Sequence, residues 1–76
     1  MASYTIKLTG QAYSNSLKGS LCKLFKLNDF NVIQMGNGHT GSGLLVEKKG
    51  ARRSQVHRSL EKYFLKYGDD ISIHKF

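Results

Sequence analysis

This 76-residue chain is short of three things: cysteine, acidic residues and long apolar runs. Each shortage excludes something. A lone Cys22 cannot close an internal disulfide and supplies none of the paired thiolates of a zinc or iron–sulfur centre, so packing alone has to hold the framework. No stretch approaches the roughly 20 apolar residues of a membrane span, and the chain is not expected to cross one. Residues 1–10 carry neither the basic start and apolar stretch of a signal peptide nor an Arg-rich amphipathic pattern, which makes the cytoplasm the expected compartment. The length allows a single domain, 1–76, and leaves no room for a deep catalytic cavity.

The scarcity of acids is the most informative of the three. Twelve Lys and Arg stand against five Asp and Glu, giving a net charge of +7. Such an excess on a small domain favours polyanionic partners: nucleic acid first, then an acidic protein surface or anionic lipid.

Periodicity supplies the elements. Tyr4, Ile6 and Leu8 alternate with Thr5, Lys7 and Thr9, the pattern of a half-buried strand over 3–9 ended by Gly10. Ser14, Asn15 and Ser16 offer capping oxygens to a helix in which Leu17, Leu21, Leu24 and Phe25 recur at helical spacing, running to about Leu27. Asn28-Asp29 supplies a stop, after which Phe30, Val32, Ile33 and Met35 read as a second strand. Leu44, Leu45 and Val46 form a third, broken by Gly50, so the glycine-rich stretch between them reads as a long hairpin loop. Val56, Leu60, Tyr63, Phe64 and Tyr67 line one face of a helix over 51–67 that stops at Gly68, and Ile71 and Ile73 make a short last strand. The order βαββαβ is the signature of the ferredoxin-like α+β fold, an antiparallel four-stranded sheet with two helices on one face. Right-handed crossovers would put strands one and three in the middle and strands two and four at the edges.

Gly36-x-Gly38-x-x-Gly41 has the spacing of a dinucleotide fingerprint, but a fingerprint needs a helix after its glycines, and a strand follows here. A Walker loop fails too, because Leu44 stands where Lys is required. What remains is a hairpin tip whose His39 and glycine amides can approach phosphate oxygens or a sugar–phosphate backbone.

Beside it lies a basic run, Lys48, Lys49, Arg52, Arg53 and Arg58, with no acid among them. If the helix begins near Ala51, the two arginines crowd its positive end, and a bound phosphate would turn that arrangement favourable. If Ser54 is the cap, they belong to a solvated turn.

Strand one offers Thr5, Lys7 and Thr9 to the open sheet face and strand three no aromatic, so the stacking platform of an RRM is not expected; backbone contact through Lys7 and the basic run is. Strands two and three are apolar on both sides, which suggests a partner or a second copy, a homodimer through the sheet, on the open face. His39, His57 and His74 have no metal-site spacing and read as surface histidines; Cys22 reads as a buried, inert thiol. No acid–base pair assembles, so neither catalysis nor a cofactor or metal is expected. The expected function is a non-enzymatic nucleic-acid-binding protein, RNA slightly favoured over DNA, gripping the backbone between the hairpin loop and the start of helix two. The alternative is a protein-interaction or inhibitor module docking its basic patch on an acidic or nucleic-acid-binding partner.

Overall fold

A computed structural model of the chain describes residues 2–38 and 41–75, with the backbone alone at 36–38 and 41. The elements run β1 (Ala2–Leu8), α1 (Asn15–Leu27), β2 (Asn31–Gly38), β3 (Gly41–Lys48), α2 (Arg53–Ser59), α3 (Glu61–Tyr67) and β4 (Ile71–Lys75), with short 3-10 turns at Gly10–Ala12 and Gly68–Asp70. The strands form one antiparallel sheet in the order β2-β3-β1-β4, so β1 and β3 are central and β2 and β4 lie at the edges.

Alternation decides which face is covered. Tyr4, Ile6 and Leu8 of β1, Leu44 and Val46 of β3, and Ile71 and Ile73 of β4 are buried in one core with Leu17, Leu21 and Phe25 of α1 and Val56 of α2. The opposite face carries Thr5, Lys7, Ile33, Met35 and Leu45, with Ile33 and Met35 still 54% and 42% exposed. Both apolar sides of β2 and β3 therefore exist as the sequence implies.

α1 is closed at both ends by its own residues. Ser14 Oγ accepts the Leu17 N–H at 3.3 Å, satisfying one of the free donors of the first turn. At the other end Asp29 turns left-handed (φ +67), its N–H donating to the Lys26 carbonyl and the Phe30 N–H to that of Phe25. These two bonds make a Schellman motif, and the hydrophobic contact that goes with it is the edge-to-face Phe25–Phe30 pair at 5.3 Å.

Two expectations are corrected. The helix expected over 51–67 is broken at Leu60, whose backbone (φ −98, ψ 1) leaves helical geometry, so α2 and α3 are separate two-turn pieces and there are three helices instead of two. The cause is local. Ser59 Oγ donates back to the Gln55 carbonyl at 3.0 Å, an i−4 bond that bends helices, in a stretch whose Ser, Val and His are weak helix formers. The long glycine loop is the second correction. Gly36 and Gly38 belong to β2 and Gly41 and Gly43 to β3, with Gly38 paired to Gly41, so only positions 39 and 40 separate the strands. Pairing tolerates these glycines through a register irregularity between Met35 and Gly38.

Candidate functional site

The basic run is presented by a built turn. The Ala51 N–H donates to the Lys48 carbonyl at 3.1 Å, and Gly50 takes φ +73, the conformation that the third position of a type II turn demands. Ala51 is buried, and Tyr4 Oη reaches its carbonyl at 3.5 Å from inside the core. Arg52 caps α2 and Arg53 is its first residue, which settles the open question of where the helix starts: two residues after Ala51, ahead of Ser54. The Arg52 N–H donates to Gln55 Oε1 at 3.0 Å, half of a capping box. With that donor spent and only seven residues in α2, the positive side chains carry the electrostatics here and the helix terminus does not.

Lys49, Arg52, Arg53 and Arg58 are exposed, and among the described residues none of them is ion-paired with a carboxylate. Glu61 lines the same shallow hollow as Arg53, Ser54, His57 and Arg58 without forming an ion pair with either arginine. Lys48 is different. Its Nζ donates to the Asn28 carbonyl at 3.0 Å and lies 5.3 Å from the centre of the Phe30 ring, so it ties β3 to the end of α1.

The sites expected to act together are not together. β3 starts at the hairpin tip and ends at the basic turn, a span of about 24 Å over seven strand steps. The tip and the start of α2 thus stand at opposite ends of the sheet and cannot grip one phosphate between them. Lys7 is opposite Gly43, five positions along β1 from where Ala2 meets Lys48, and so lies about 17 Å toward the tip end on the open face. His39 lies outside the described residues. Lys49, Arg52, Arg53 and Arg58 remain as one cluster.

One feature of this end is not legible in the sequence pattern. His57, exposed, stacks on half-buried Phe64, with ring centres 4.9 Å apart and planes 24° from parallel. Seven positions along a continuous helix place two residues about 10.5 Å apart, with side chains leaning the same way. The break at Leu60 is what lets the rings meet. The pair lines an open groove of about 830 Å³ together with Arg53, the Asp69 carboxylate and residues of edge strand β4, among them Ser72, His74 and Lys75. Ser72 Oγ and His74 Nε2 are hydrogen-bonded at 2.9 Å.

Elsewhere the chemistry stays bland. Cys22 is buried in the core cluster. Among the described residues no group of His, Cys, Asp and Glu is placed to hold a metal ion, and no helix is long and apolar enough to cross a membrane. Comparison with protein-family models, with curated proteins and with solved structures gives no significant match to this chain.

Proposed function

We propose that this is a small, non-enzymatic nucleic-acid-binding domain of the ferredoxin-like split class that holds a phosphate backbone at the β3–α2 end. The strand order, read from the other edge as β4-β1-β3-β2, and the two crossovers support the fold class. The function rests on one observation: four exposed cations, Lys49, Arg52, Arg53 and Arg58, are gathered on one turn and one short helix, none ion-paired among the described residues, against the two carboxylates, Glu61 and Asp69, that line the hollows beside them. Four cations beside two carboxylates leave an excess of positive charge at this end, and phosphate oxygens suit guanidinium forks. RNA is favoured over DNA because the basic helix is two turns long and runs straight into packed α3, leaving no free helix to enter a major groove.

The test is binding of the purified, nuclease-treated protein to labelled single- and double-stranded RNA and DNA at two salt concentrations. Affinity should fall with salt, and Arg52→Glu with Arg53→Glu should abolish it while the domain stays folded, with a cooperative melt by circular dichroism, since both side chains are exposed. Retained binding by that double variant sinks the site. Failure of the parent to bind any of the four polymers sinks the function and hands the cluster to an acidic protein surface, the other polyanion that its charge suits.

A further inference from the structure

We infer that the His57–Phe64 stack is a base-stacking position, and that the nucleic acid held here is single-stranded. This inference rests on the nucleic-acid reading of the same end and adds the ligand's form and the residue that reads it. Three observations meet at His57. Its ring is exposed, so it is open to a second planar ring. Phe64 backs it at 4.9 Å and is itself packed on the core, which gives the imidazole a firm surface on one side. Finally, His57 borders both the groove toward β4, which Asp69 also lines, and the hollow among Arg53, Ser54, Arg58 and Glu61, so a base on it would have two guanidinium groups near its flanking phosphates.

Aromatic rings beside unpaired cations are the combination that single-strand binders use: cations track the backbone, and rings take bases irrespective of sequence because every base has a flat face. A duplex keeps those faces inside its own stack and can offer only phosphates. An acidic peptide could satisfy the arginines equally well but makes no use of a backed, exposed ring. Among the described residues the open sheet face carries no Phe, Tyr or Trp, only the His74 imidazole on the edge strand, whereas the bend at Ser59 and Leu60 builds a backed ring on the helices.

The experiment follows the anisotropy of fluorescein-labelled 12-mers of oligoadenylate and oligouridylate RNA, a 12-base-pair RNA duplex, and a polyglutamate peptide of similar charge, in a salt series. The parent should bind the single strands more tightly than the duplex or the peptide, with oligoadenylate ahead of oligouridylate. His57→Ala should weaken single-strand binding by roughly 5- to 100-fold without changing the slope of log affinity against log salt, because stacking releases no counterions. His57→Phe should stay within a few-fold of the parent, and Arg53→Gln should reduce the salt slope by about 0.7, the loss of one phosphate contact on a single strand. The chain has no tryptophan, so His57→Trp gives a single fluorophore that a stacked base should quench. Single-strand binding that His57→Ala leaves within twofold, an unquenched His57→Trp, or equal affinity for duplex and single strand each overturns the stacking site while leaving nucleic-acid binding intact. Tight binding of polyglutamate alone, or no binding of any probe, overturns both readings together.

Discussion

Gly43 and Gly19 show how differently two glycines can be needed. A Cβ added to Gly43 would stand 2.8 Å from the Ile6 carbonyl oxygen of the neighbouring central strand, closer than real Cβ atoms come, and the atom it meets is backbone that cannot swing away. Gly43→Ala should therefore cost about 1–3 kcal/mol in urea unfolding, the range for forcing extra volume into a packed site. Gly19 is in the body of α1 with nothing within 4 Å of its would-be Cβ, and its φ is not in the left-handed region. Gly19→Ala should accordingly add about 0.5–1 kcal/mol, largely by restricting the unfolded chain. A measured loss at position 19 would mean that α1 is packed more closely than its exposure implies. The glycine-rich stretch that resembles a phosphate loop at the level of spacing turns out to contain a strand glycine kept for close approach. Sequence spacing alone cannot separate the two, because both uses demand the same missing side chain.

At the scale of elements, α1 was legible and the second helical region was not. Ser14 and the Asn28-Asp29 stop mark the ends of α1 within a residue, since capping chemistry is written in side chains that a sequence displays. Those ends make testable statements. Ser14→Ala removes the acceptor of the Leu17 N–H and should cost about 1 kcal/mol. Asp29 is the one non-glycine residue with positive φ among the described residues, and it places a negative charge at the negative end of a helix. Asp29→Gly relieves both and should gain about 0.5–1 kcal/mol in the same denaturation assay. In the second region the apolar periodicity of Val56, Leu60, Tyr63, Phe64 and Tyr67 runs unbroken through the break, because α3 continues the face that α2 begins. Only Ser59 signals the interruption, and one hydroxyl in a good helical pattern is too small a sign to outweigh five apolar positions. The His57–Phe64 contact was hidden for the same reason: it depends on the bend, and the bend is not in the pattern.

The charge of the whole molecule ties stability and binding to the same variable with opposite signs. The described residues extend over 31 × 25 × 20 Å, and the formal net charge is +7. At 0.01 M salt the screening length is about 30 Å, so cations on every surface repel one another across the fold; at 0.15 M it is about 8 Å, and only neighbours do. Because Lys49, Arg52, Arg53 and Arg58 lack described carboxylate partners, added salt has little attraction to weaken at that end and much repulsion to relieve. The free protein should thus melt at a higher temperature at 0.15 M than at 0.01 M NaCl, followed by circular dichroism, while its affinity for nucleic acid falls over the same interval. Arg52→Glu with Arg53→Glu lowers the net charge by four and should flatten both trends at once. A melt that drops as salt rises would instead mean that attractive ion pairs outweigh repulsion in the folded state, and the basic end would then be spending its charge on the fold with none left over for a polyanion.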